Sequence, residues 1–376
     1  MASVKILHCA DVHIGATESF LGQKSRERQS ETLITFEKSI NLAKRQDVSL
    51  YLIAGDLFDS LGADYSYFRR VVSIIAENSE IKFIYAAGNH DPFSPANPLR
   101  QTNLPENLYI FDTEDSVFTF DDLKVRIFGK SFGEVCQKGE NEFSIKPRDD
   151  NYINIMCIHG DFANSASEYN PIMPKFIENS YMDYVALGHI HKRTEPKMLG
   201  GTYYAYSGCM ESQGFDEAGE KGVYIGEVSK SGVNLEFIPL SYRVHIRANV
   251  DVSGADSSAT AADIILNKIK EDYGEHYSDN LYRITLTGKI SEGTELDTKE
   301  IAVRLCEKVY FAKVKDKTSV DINLELLSCE PTLKGIFVKK MLEKLNNADE
   351  SEKPIIEYAL SIGLKAFNSE VTFDET

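Results

Sequence analysis

The residues able to hold metal gather in five short motifs: Asp11-Val12-His13, Gly55-Asp56, Gly88-Asn89-His90-Asp91, His159-Gly160-Asp161 and Gly188-His189-Ile190-His191. A single Gly-Asp is ordinarily a turn, and a single His is ordinarily a satisfied core or surface residue. Five of the eight histidines, however, fall inside these motifs beside carboxylates and an amide, and it is this clustering that points to metal. Carboxylate, imidazole and amide oxygen without thiolate favour borderline-to-hard ions, so Mn²⁺ is expected first, with Fe²⁺ or Mg²⁺ as alternatives.

Two ions roughly 3.5–4 Å apart need a ligand in common, and the lone carboxylate Asp56 suits that bridging place. The expected set is Asp11, His13, Asp56 and His191 around one ion, and Asp56, Asn89, His159 and His189 around the other. A water between two such ions loses a proton near neutral pH and becomes a nucleophile suited to in-line attack on phosphorus. His90 follows Asn89 directly and is expected to stabilise the transition state or protonate the leaving oxygen. Asp91 is expected to orient His90 by accepting from its ring N–H.

Each motif follows a short apolar, β-branched run: residues 4–10, 50–54, 82–87, 153–158 and 184–187 read as strands. Helical patterns at 31–44 and 67–77 separate the early ones, so the chain is expected to be α/β with buried sheets. Loops at the carboxyl ends of neighbouring strands converge on one crevice, which allows residues distant in sequence to share a site. Side chains at i and i+2 of an extended segment face one side, which would pair Asp11 with His13 and His189 with His191. His8, by the same alternation, points away and is structural, as are His245 and His276.

Closely spaced strands at 202–206, 222–228 and 233–239 read as antiparallel strands completing a second sheet. Beyond them, helices at 261–273 and 297–308 and strands at 281–287 and 319–326 suggest a second, small α/β domain. The boundaries expected are 1–241 for the catalytic domain, 242–327 for the small domain and 328–376 for a C-terminal helical segment with two amphipathic stretches.

A net charge of −17 argues against coating nucleic acid by bulk charge. Any DNA contact must be local, metal-assisted or shared with a basic partner. Six scattered cysteines without a CxxC pair suggest neither a zinc ribbon nor a disulfide scaffold. No apolar run reaches the roughly 18 residues of a membrane span and no leader pattern opens the chain, so a cytoplasmic protein is expected.

The ordered set DVH, GD, GNHD, HGD and GHIH resembles the calcineurin-like metallophosphoesterases, and "HCADVHIG", "AGDLFD" and "GNHD" resemble their SbcD-type DNA-repair exonuclease branch. The resemblance covers about residues 4–240. It implies a four-layer αββα sandwich core with a small α/β capping domain, two Mn²⁺ ions, and 3′-to-5′ exonuclease with single-strand or hairpin endonuclease activity on DNA. It further implies a homodimer and a helical C-terminal segment gripping an SbcC-type coiled-coil ATPase. Archaeal and eukaryotic relatives carry a histidine three residues after the bridging Asp, where this chain has Asp59, which is left outside the catalytic set. Two other readings are a phosphodiesterase for nucleotides or other small phosphodiesters, favoured by the acidic charge, and a metal-free scaffold, which the intact ligand set disfavours.

Overall fold

The computed structural model describes residues 3–139, 143–147, 151–291, 293–321 and 323–368, which fall into two compact units. The first comprises residues 1–247, 276–283 and 309–312. Its opening half alternates strand and helix: β1 (Ser3–Cys9), α1 (Ser25–Arg45), β2 (Leu50–Ile53), α2 (Tyr65–Ala76), β3 (Lys82–Tyr85) and β4 (Leu108–Ile110). There follow β5 (Ser116–Phe120), β6 (Val125–Gly129), β7 (Ile153–His159), α3 (Pro174–Glu178), β8 (Tyr184–Gly188), β9 (Lys197–Leu199), β10 (Thr202–Tyr206), β11 (Gly222–Ser229) and β12 (Gly232–Pro239). Two six-stranded sheets result, in the orders β12-β11-β1-β2-β3-β4 and β5-β6-β7-β8-β10-β9.

Strand alternation sorts the core. Leu7, Cys9, Tyr51, Ile53, Phe83 and Tyr85 face Phe36, Ile40, Phe68, Val71 and Ile75 of α1 and α2. Val4, Ile6, Leu50, Leu52 and Ile84 face Ile127, Ile153, Ile155 and Ala186 of the other sheet. Strands buried on both faces read as unbroken apolar runs, which is why the central ones were legible. Phe36, Ile40 and Ala43 recur at helical spacing and bury one stripe of α1, while Asp64 caps α2 by accepting from Ser66 N at 2.8 Å. The outer face of the second sheet is covered by the short α3 with its neighbouring loops, around Ile177, Met182 and Phe143. The order of layers is therefore αββα, with a thin fourth layer.

One expectation is corrected here. The strands expected to complete the second sheet divide: β10 joins it, parallel to β8, while β11 and β12 add antiparallel to β1 in the first sheet. β1 offers the unpaired edge of the first sheet, and β11 satisfies its main-chain groups from Ser3 to His8.

The second unit comprises residues 248–275, 284–308 and 313–376. From β13 (His245–Asp251) onward the elements are α4 (Ser258–Tyr273), β14 (Leu281–Thr287), β15 (Lys289–Ile290), α5 (Thr298–Cys306), β16 (Phe311–Asp316), β17 (Ser319–Val320), α6 (Leu324–Ser328), α7 (Leu333–Asn347) and α8 (Lys353–Asn368). Residues 319–326 were expected as one strand. Instead β17 stops after Val320, because Asn323 accepts from Leu326 N at 3.1 Å and caps α6. The strand beside β14 is β16, whose lysines Lys313 and Lys315 obscure its alternation. The two tail helices meet through Val338, Phe337, Met341, Leu360 and Leu364, with Leu327 of α6.

Candidate metal centre

Strands β1, β2 and β3 of one sheet and β7 and β8 of the other end beside one another, and every motif lies just past or at such an end. The main chain then turns sharply. Asp11, His13, Asp56 and His189 have φ of 50°, 49°, 48° and 106°, a left-handed region that non-glycine residues enter at a cost. The ligand pairs therefore do not converge through extended i, i+2 geometry as expected. They converge through two loops laddered together, with Asp11 N donating to Gly55 O at 3.0 Å and His13 N to Asp56 O at 3.0 Å. Two glycines make the approach possible: a Cβ on Gly55 would fall 2.0 Å from His159 Nδ1, and one on Gly88 2.2 Å from Asp56 Oδ1.

All seven expected ligands come together. Asn89 Oδ1 lies 3.0 Å from His159 Nε2 and 3.2 Å from His189 Nδ1, and His159 Nε2 lies 3.3 Å from Asp56 Oδ2. His13 Nε2 is 3.1 Å from His191 Nε2 and 3.9 Å from Asp56 Oδ2, with Asp11 beside them. An ion with ligands at about 2.1 Å places neighbouring ligand atoms about 3.0 Å apart in an octahedron and about 3.4 Å in a tetrahedron. Four of these spacings, 3.0–3.3 Å, fall in that range, the His13–Asp56 separation of 3.9 Å is wider, and Asp56 lies between the two groups.

The donor chemistry agrees with the spacing. His159 Nδ1–H donates to Ala54 O at 2.9 Å, which turns the Nε2 lone pair toward Asn89 and Asp56. His191 Nδ1–H donates to Glu217 Oε1 at 2.5 Å, which turns its Nε2 lone pair toward His13 Nε2. Acceptors that face acceptors in a buried pocket are stable only with a cation or a proton among them. Burial alone would lower His159, but the charges of Asp56 and Asp11 outweigh it and raise it to about 9, so without an ion this ring takes the proton. His189, buried next to His159, is lowered to about 4. Burial would raise Glu217, yet its bond to His191 outweighs that and holds it at about 2.

His90 is fixed differently from expectation. Its Nδ1 donates to Asp59 O at 2.9 Å, and its backbone N donates to Asp56 Oδ1 at 2.9 Å. Asp91 is fully buried, and its carboxylate accepts from Phe58 N at 2.8 Å, Gly88 N at 2.9 Å and the Tyr85 hydroxyl. Asp91 thus binds the two ligand loops to each other rather than orienting His90. Burial and the charge of Asp56 raise it to about 6.

Two further residues adjoin the site: Glu217, absent from the sequence expectation, and Asp59, which stands outside the expected catalytic set. Glu217 lies 26 residues from His191 and carries no motif, although it sits within the segment GCMESQGFDEAGEKG. Asp59 holds His90 through its carbonyl and places its carboxylate 3.4 Å from His13 Nδ1, a buried nitrogen with no hydrogen-bond partner among the described residues. Its position three residues after Asp56 was the available signal. His8 is buried between the sheets, bonded to Tyr184 Oη at 2.8 Å and facing Leu187 O at 3.2 Å. All six cysteines are free thiols.

Residues 4–193 match the calcineurin-like phosphoesterase family. The chain belongs to that family. A calcineurin-like phosphoesterase domain is a metal-dependent hydrolase domain, in keeping with the His/Asp clusters at this site. Among curated proteins, the chain is 25% identical to the DNA double-strand break repair protein Mre11 of Methanopyrus kandleri, over 67% of this chain and 60% of that protein. It is 28% identical to the uncharacterized metallophosphoesterase YhaO of Bacillus subtilis, over 68% of this chain and 65% of that protein. A shorter stretch, 24% of this chain and 22% of the relative, is 33% identical to the D subunit of the nuclease SbcCD of Rhodobacter capsulatus. The first two matches span less than two thirds of those relatives' length.

Proposed function

We propose that this phosphoesterase is a Mn²⁺-dependent DNA nuclease of double-strand break repair, with 3′-to-5′ exonuclease and single-strand or hairpin endonuclease activity. The observation that carries the reading is the pair of four-residue groups sharing Asp56, with His90 fixed at their edge. A bound pair of divalent ions supplies a nucleophile at neutral pH and neutralises phosphate charge. The chain's own contribution is placement. Asp11, His13 and His191 form one half of the cradle, Asn89, His159 and His189 the other, and Asp56 spans them. With Nδ1–H given to Asp59 O, His90 turns Nε2 outward, and in the imidazolium form its Nε2–H would donate to a phosphoryl oxygen or pass to the leaving oxygen.

DNA is the favoured substrate because two of the relatives, Mre11 and the SbcCD nuclease, are named as repair and nuclease proteins. The stretch 242–327 is the part proposed to position DNA. An SbcC-type ATPase is the proposed partner of residues 328–376, where Leu333, Ile336, Ile355 and Tyr358 are exposed apolar residues on the tail helices. A homodimer acting in the cytoplasm completes the proposal. Among the described residues no helix is long and apolar enough to cross a membrane.

The test is digestion of an end-labelled duplex and a hairpin by the full chain with Mn²⁺, alone and with its ATPase. Shortened products that disappear with chelator support the reading. The net charge of −17 favours one alternative, hydrolysis of nucleotides or other small phosphodiesters. Intact DNA together with a hydrolysed small phosphodiester would select it.

A further inference from the structure

Arg28 of α1 is only 2% exposed, and its guanidinium is surrounded by carboxylates. Nε donates to Glu18 at 2.7 Å, Nη1 to Glu31 at 2.9 Å, and Nη2 to Glu211 at 2.7 Å and to Ser212 O at 3.0 Å. Arg243 adds a second buried cation, donating from Nε to Glu31 at 2.8 Å and lying over the Tyr310 ring at 3.5 Å. His245 Nε2 stands 3.0 Å from the second oxygen of Glu18. Taking so many charges out of water costs about as much as their attraction returns, and apolar replacements of similar volume are often equally stable. Stability alone does not account for this cluster.

What the carboxylates are attached to does. Glu18 closes the loop that begins at His13, where Ala16 N donates to His13 O at 3.0 Å and Leu21 N to Glu18 O at 3.1 Å. Glu211 and Ser212 open the segment that ends at Glu217. Within it Ser212 Oγ donates to Glu217 O at 2.6 Å and Gln213 N to Glu217 Oε2 at 3.0 Å, and Glu217 receives the Nδ1–H of His191. The loop that carries His13 and the segment that holds His191 through Glu217 therefore meet at one guanidinium. At the other position the His159 ring is held by a main-chain group of a sheet end, Ala54 O at 2.9 Å.

We propose that Arg28 is a positioning residue for the ion position formed by Asp11, His13, Asp56 and His191, and that it acts selectively there. The inference rests on the two-ion reading above. Tyr242 N also donates to Glu211, and Arg243 and His245 join the same cluster. The segment leading out of the first unit is thus fixed to the mount that holds this position.

The test is equilibrium Mn²⁺ binding to the full chain with electron paramagnetic resonance of the bound ions, for wild type, Arg28→Met and the near-isosteric Glu211→Gln. The wild type binds two ions with the signature of a spin-coupled pair. In both variants one ion should keep its affinity while the other weakens by about 10–100-fold, the range for losing a group that orients a ligand. The spectrum at one equivalent should be that of an isolated Mn²⁺. If Arg28→Met does not fold, Glu211→Gln carries the test. Equal weakening of both ions in a folded variant, or no change in either, overturns the proposal. A wild type that binds fewer than two ions removes the two-ion reading and this proposal with it.

Discussion

At the position formed by Asn89, His159 and His189, the group that aims the His159 ring belongs to the main chain, Ala54 O at 2.9 Å, while the Asn170 side chain only steadies the His159 carbonyl at 2.6 Å. At the position formed by Asp11, His13 and His191, the main chain holds Asp11 through His189 N at 3.0 Å, but the groups beside the imidazoles are side chains: Glu217 on His191, Asp59 near His13, and Arg28 beneath the segments that lead to both. The first depends on sheet ends that the core already fixes. The second depends on charged residues brought from distant segments, and a change in any of them reaches the ligands. One half of the site is thus a consequence of the fold, while the other is adjusted by a network laid over it.

The largest effect expected falls on the residue common to both halves. Asp56→Asn should abolish binding of the ion pair and lower phosphodiester turnover by at least about 10³-fold, read by metal stoichiometry and kcat together. Loss of a single ion with the other intact would show that Asp56 is not shared. Next, His90→Gln should lower kcat by about 10²-fold or more while leaving both ions bound, because the His90 ring is fixed by Asp59 O and its bond to Asp56 comes from the main chain, which the substitution keeps. A parallel loss of metal would make it a ligand. Glu217→Gln should weaken only the His191 ion, by about 10–100-fold in Kd. Equal loss at both positions would erase the contrast between the halves.

How much of this was legible in the sequence follows the same divide. The seven residues proposed as ligands stand out because each is next to a buried apolar run, and the sheet ends that gather them are encoded by those runs. Glu217, Arg28 and Glu31 do not stand out, since a charged residue on a helix or in a polar segment reads as solvated until its partners from other segments are known. Asp91 differs from expectation for a related reason: adjacency to His90 in sequence suggests contact, but Asp91 bonds Phe58 N, Gly88 N and Tyr85 while the His90 ring bonds Asp59 O. The β11–β12 hairpin pairs with β1 across more than 200 residues, and no local pattern specifies which sheet edge it takes.

A last effect falls on folding stability rather than on the ions, and concerns His8, buried against Tyr184. Burial lowers His8 to about 3, against about 6.5 in an unfolded chain. Between those values the unfolded state binds the extra proton, so stability rises with pH across the window and is lost as pH falls from about 6.5 toward 3. Between pH 7 and 4.5 this residue accounts for a loss on the order of 2–3 kcal/mol, which His8→Gln should remove from the acid limb of urea denaturation. An unchanged acid limb would mean that His8 is not held neutral.

The most direct measurement of the central claim is anomalous diffraction from a crystal of the full chain soaked in Mn²⁺. Two peaks about 3.5–4 Å apart, bridged by Asp56 and flanked by the two ligand groups, are predicted. A single peak, or density away from these seven side chains, would contradict the account.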